Sequence, residues 1–107
     1  MTQEQTILSR ISELIKQAVN PQKIVLFGSR ARNQAGPESD YDILVVAPSS
    51  LSRWKRAVPL YGLLAGLGAA KEIVWWTPEE ILEWQGVRSH FISTAIREGK
   101  VLYEKPA

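Results

Sequence analysis

Three short apolar runs decide what this chain can fold into: KIVLF from Lys23 to Phe27, YDILVVA from Tyr41 to Ala47, and EIVWW from Glu72 to Trp76. Each is rich in β-branched or aromatic residues and reads as a strand, the first of them buried and closed by Gly28. The segments between them carry a different period. Ile7, Ile11, Leu14, Ile15 and Ala18 recur at helical spacing behind a capping box of Thr2 and Gln5, which predicts a first helix ending before Pro21. From Leu51 to Gly68 the residues Trp54, Val58, Tyr61, Leu64 and Ala65 repeat by threes and fours, and Pro59 within them predicts a kinked or broken helix. Thr77, Pro78 and Glu80 form a strong helix start after the third run, with Thr77 as the cap and Pro78 in the first helical position. A last helix is expected from Ser89 to Glu98, stopped by Gly99, with a closing strand from Lys100 to Glu104. Strands alternating with helices imply an α/β sheet with helices packed on it. With 107 residues, 45% of them hydrophobic, the chain suffices for one domain spanning 1–107.

Composition removes several kinds of chemistry. There is no cysteine, so disulfides, thiol catalysis and thiolate metal sites are excluded. The single histidine, His90, cannot make a polyhistidine zinc site and is read as a surface or capping residue. Thirteen basic against 11 acidic side chains leave a net charge of +2, too mild to predict nucleic-acid binding. The start MTQEQTILSR lacks the features of a secretory signal, and no segment has the roughly 18 apolar residues of a spanning helix. A soluble cytoplasmic protein is expected, with no membrane association.

The chemistry-bearing residues lie around the first two runs. Residues two apart on a strand face the same way, so Asp40 and Asp42 project together while Tyr41 and Ile43 point to the other side. Paired carboxylates repel unless a cation sits between them, and a hard oxygen pair suits Mg²⁺. Gly28 lets the backbone approach a ligand, and Ser29 is placed to open a short helical turn whose N–H groups and hydroxyl would contact phosphate. Arg30 and Arg32 lie in the same turn and would neutralise further phosphate charge. If the third strand lies beside the second, Glu72 approaches Asp40 and Asp42 and completes a site for two metal ions. Of the paired tryptophans only Trp76 shares the face of Glu72, and aromatic residues such as Trp54, Tyr61, Trp75 and Trp84 read as core or partner contacts.

Gly28-Ser29, ten intervening residues, and Asp40-x-Asp42 followed by ILVV closely resemble the signature of the DNA polymerase beta-like nucleotidyltransferases. The GSRAR loop, the strand ending in WWTPEE and the closing REGKVLYE narrow the resemblance to the minimal nucleotidyltransferases, the MNT family, over Ile7 to Glu104. The resemblance implies the nucleotidyltransferase fold, a small mixed β-sheet flanked by helices, with ATP as donor and two Mg²⁺ ions. It makes Ser29 the phosphate-contacting serine, Asp40 and Asp42 the metal ligands, and Glu72 the counterpart of the family's third aspartate. Proteins of this kind are antitoxins that add AMP to a tyrosine of a partner HEPN-domain toxin.

Two positions depart from the family pattern: Asn33 stands where glycine is common, and Glu72 is one methylene longer than aspartate. Two readings therefore stand side by side. In the first the chain is a Mg²⁺-dependent enzyme that transfers AMP to its partner. In the second the fold is kept as a binding module, alone or in a homo- or hetero-oligomer, that neutralises the partner by contact alone.

Overall fold

The computed structural model describes residues 2–36, 39–84, 86–87 and 91–106. Helix α1, Gln3–Val19, opens as its sequence predicts. Gln5 N–H donates to Thr2 Oγ1 at 3.1 Å and Thr2 N–H to Gln5 Oε1 at 2.8 Å. The helix buries Ile11 and Ile15 and closes on Asn20, whose φ of 49° turns the chain into Pro21. The strands are β1, Lys23–Phe27; β2, Tyr41–Val46; β3, Lys71–Trp76; and β4, Lys100–Glu104.

They form one mixed sheet in the order β3-β2-β1-β4. β1 runs antiparallel to both β2 and β4, whereas β2 and β3 are parallel. The adjacency that the Glu72 expectation needed is therefore present. Alternating side chains divide the interior into two halves. Ile24, Leu26, Tyr41, Ile43, Val45, Ile73 and Trp75 face α1, and Val25, Leu44, Val46 and Trp76 face Ile92 and Ala95 of α5, Phe91–Glu98. Gly99 after α5 is fixed by crowding, since a Cβ there would lie 2.3 Å from the Ala95 carbonyl oxygen and 2.4 Å from Val25 Cγ1. The last helix was expected from Ser89, but Ser89 and His90 lie outside the described residues.

The middle helix breaks at Ala57, two residues before its proline. Helix α2, Arg53–Arg56, gives way at Ala57 to α3, Val58–Leu64, with Pro59 inside the first turn of α3, where a missing N–H leaves nothing unsatisfied. The pair runs along the outer edge of β3 and covers it chemically. Tyr61 Oη accepts from the Ile73 N–H at 2.8 Å, and Arg56 Nη1 donates to the Trp75 carbonyl at 3.2 Å. Edge groups that would otherwise template another strand are thus occupied.

Arg56 also joins this edge to α4, Pro78–Trp84. Its guanidinium is 8% exposed and meets Glu80 Oε1 at 2.6 Å, while the Thr77 N–H donates to the same oxygen at 2.8 Å. Burial acts to raise the Glu80 pKa, but the hydrogen bonds from Arg56 and Thr77 outweigh it and hold the carboxyl below its ordinary 4.5. Glu80→Ala removes the cap and strands a buried guanidinium, so unfolding at neutral pH should show a loss of about 3 kcal/mol. A lowered folded-state pKa contributes stability above the ordinary value and loses it as pH falls through the folded value. The difference between wild type and Glu80→Ala in chemical denaturation should accordingly shrink on acidification below 4.5.

Candidate active site

The candidate residues gather at one end of the sheet, where β1 finishes and β2 and β3 begin. Phe27 is opposite Asp42 in the antiparallel register, and Asp42 is opposite Glu72 in the parallel one. Gly28 follows at φ +75°, and a Cβ on it would lie 2.1 Å from Asp42 Oδ2. The glycine is therefore required twice, by its left-handed backbone and by the carboxylate occupying the space beside it.

Asp42 is half-buried, while Asp40 and Glu72 are exposed. Burial raises the Asp42 pKa, the negative charges of Glu72 and Asp40 raise it further, and the Arg32 guanidinium partly offsets them. Both neighbouring carboxylates thus act on Asp42. Among the described residues no three acidic or histidine side chains converge closely enough to hold a metal by themselves. Asp42 and Glu72, paired in register, are hard oxygen donors of the kind a cation such as Mg²⁺ takes one or two at a time, with water and phosphate oxygens filling the rest of its shell.

The turn after β1 differs from the short helical turn expected at Ser29. It is a string of tight turns in which Ala31 N–H donates to Gly28 O at 3.1 Å, and Arg32 and Gln34 N–H groups donate to Ser29 O at 3.2 and 2.9 Å. Asn33 ends it in the left-handed region at φ 57°, a conformation asparagine accepts more readily than most residues. The departure from glycine at this position leaves the turn formed.

That geometry parts the two arginines. Arg32 stays at the surface, donates to Gln34 Oε1 at 3.1 Å, and lowers the Asp42 pKa. Arg30, expected beside phosphate, turns to the Tyr41 side of the sheet. Its Nε and Nη2 donate to the Ser39 carbonyl at 3.0 and 2.8 Å, its guanidinium lies 3.9 Å from the Tyr41 ring centre, and Nη1 is 3.9 Å from Glu4. It holds the residue just before Asp40. Trp76 shares the Glu72 face as expected, but is 2% exposed, with Arg53 4.0 Å over its ring.

Sequence reasoning overlooked two features. Lys100, at the start of β4, reaches Asn33 Oδ1 at 3.4 Å and brings a second cation to the turn. A cavity of about 430 Å³ opens at this end of the sheet on the Tyr41 side, lined in part by Glu4, Arg30, Ser39 and Leu67. Neither has a local signal, because both depend on segments far apart in the chain.

The chain belongs to the polymerase beta nucleotidyltransferases: the family model described as "Polymerase beta, Nucleotidyltransferase" matches residues 9–107. Similar solved structures are minimal nucleotidyltransferase antitoxins in complexes with HEPN toxins, in accord with the motif resemblance. A toxin–antitoxin complex with AMP-PNP is 24% identical, with TM-score 0.62, covering 92% of this chain and 73% of that one. The MNT antitoxin with a tri-AMPylated Shewanella oneidensis HEPN toxin is 24% identical, with TM-score 0.57, covering 97% and 74%. A variant MntA–HpeT complex is 26% identical, with TM-score 0.56, covering 90% and 71%. No curated protein matches the sequence.

Two outcomes follow from the geometry. Gly28→Ala drives a methyl into Asp42 and should lower nucleotidyl transfer by at least ~100-fold, measured as pyrophosphate release. Asp42→Asn removes a charge that burial and its neighbours disfavour, so in EDTA at neutral pH the variant should melt at a higher temperature than wild type.

Proposed function

We propose that the chain transfers AMP from ATP to a hydroxyl, most simply a tyrosine, of a partner HEPN-domain toxin, and so acts as the antitoxin of the pair. The observation that carries this reading is the register of β2, which places Asp42 between Gly28 and Glu72 at one end of the sheet. The AMP-PNP complex and the tri-AMPylated toxin among the structural neighbours support the donor and the acceptor class.

In this reading Asp40, Asp42 and Glu72 would hold Mg²⁺ ions, expected as a pair. Bound there, the metal supplies charge neutralisation for the attacking and leaving oxygens. Gly28 and Ser29 offer the turn to the triphosphate, and Arg32 neutralises charge at its surface. Glu72 assists removal of the proton from the acceptor hydroxyl. The hydroxyl oxygen bonds to the α-phosphorus, the bond to the bridging oxygen breaks, and pyrophosphate leaves with the displaced electron pair. Arg30 acts at one remove by fixing the Ser39 carbonyl and hence the approach to Asp40. The expected setting is the cytoplasm, where ATP and the partner meet.

The test is incubation with Mg²⁺, ATP and the HEPN partner, followed by mass spectrometry of the partner. Added AMP that falls by at least ~100-fold in Asp42→Asn, with the complex still formed, is the expected result. A complex that forms and neutralises the toxin with no added AMP, even with wild type, would replace catalysis with neutralisation by contact.

A further inference from the structure

The outer face of α2 and α3 carries a strip of exposed apolar side chains, of which Tyr61 also bonds the sheet edge through its hydroxyl. The inner face buries Arg56, Leu60 and Leu64. Opposite them Trp54, Val58 and Tyr61 follow one another at spacings of four and three, with exposures of 81%, 64% and 42%. Leu51, 50% exposed, precedes them. Single exposed apolar residues are ordinary, but a continuous strip with a polar rim marks an interaction site.

Its direction ties it to the chemistry. Arg56 meets β3 at Trp75 and Tyr61 meets it at Ile73, so the helical pair runs back along β3 toward Glu72. Asp42 and Glu72 face the opposite side of the sheet from Leu60 and Leu64 of α3, so a body on the strip reaches them by wrapping round the β3 edge at Ile73. Asp40 and Glu72 are exposed, so an acceptor protein can approach them from outside and is held by contacts elsewhere on the surface.

The rim selects the occupant. Between Asp42 and Glu72 the chain contains no acidic residue, while α2 carries the exposed Arg53 and Lys55, Arg56 being buried on the inner face against Glu80. Arg53 is positioned against the Trp76 ring at 4.0 Å and Glu80 at 3.8 Å. Tryptophan, tyrosine and arginine are the residue types that dominate binding energy at interfaces. A second copy meeting the strip about a two-fold axis would set this basic rim against itself, which like charges oppose.

We propose that this strip is the docking face for the HEPN partner, which lays an apolar surface edged with carboxylates along it and thereby presents its acceptor hydroxyl to the carboxylate site. The proposal rests on the partner reading given above. It assigns Trp54 and Val58 to partner affinity and to nothing in the chemical step.

The test uses the full chain and its HEPN partner, with Trp54→Ala/Val58→Ala and Lys55→Glu as variants. Complex formation is measured by titration calorimetry, AMP addition by mass spectrometry, and ATP binding and melting temperature in the chain alone. The double variant should weaken the Kd for the partner at least ~10-fold and raise the KM for it in parallel, with ATP binding and melting temperature unchanged. Lys55→Glu should weaken the complex as well. Wild-type affinity in both variants overturns the proposal, as does loss of self-association with partner binding intact, which would make the strip a contact between copies. If wild type forms the complex but adds no AMP, the catalytic reading fails while the effect of the variants on complex formation still decides the docking face.

Discussion

The antiparallel register of β1 against β2 is the constraint on which the site depends. Phe27 opposite Asp42 brings the end of one strand level with the start of the other, and only a residue without a side chain fits after Phe27. The missing side chain of Gly28 and the presence of the Asp42 carboxylate are one packing fact seen from two strands. From that contact the turn after β1 and the Asp42 carboxylate inherit a fixed separation. A turn carried on a longer connection would have no such guarantee.

The parallel pairing of β3 then adds a charge that the fold alone would avoid. Glu72 is laid beside Asp42 by register, and burial and repulsion both oppose ionisation of Asp42. Folding energy from the two apolar layers of the sheet sustains this local penalty. Arg32 relieves it in part, and a cation delivered with phosphate would relieve it further. The surroundings of Asp42 therefore favour the arrival of positive charge.

Much of this was legible in the sequence because it follows from local rules. The Thr2–Gln5 and Thr77–Glu80 boxes, the strand from Lys23 to Phe27, and the left-handed demand on Asn33 each depend on a few neighbouring residues. The carboxylate group was legible from period-two alternation, with Glu72 conditional on a strand order that no local pattern encodes. The direction of Arg30 was not legible, because a chain of tight turns lacks the regular side-chain directions of a helix. Its partners, Glu4, Ser39 and Tyr41, come from three other segments. The break at Ala57 was placed at Pro59 because proline is the visible disruptor, although its own position in α3 is one that helices tolerate.

The edge of β3 is finished by side chains rather than by another strand, with Tyr61 and Arg56 serving as substitutes for backbone. This divides the labour of α2 and α3 between two faces that share almost no residues. Substitutions on the inner face disturb the sheet, whereas those on the outer face leave its hydrogen bonds intact. Tyr61 is the exception, since its hydroxyl closes the edge while its ring is open to solvent. Such an arrangement lets the outward surface drift to match a changing neighbour while the carboxylate end stays as it is. With the outer face as docking surface, partner choice and chemistry would be separately heritable within one small sheet.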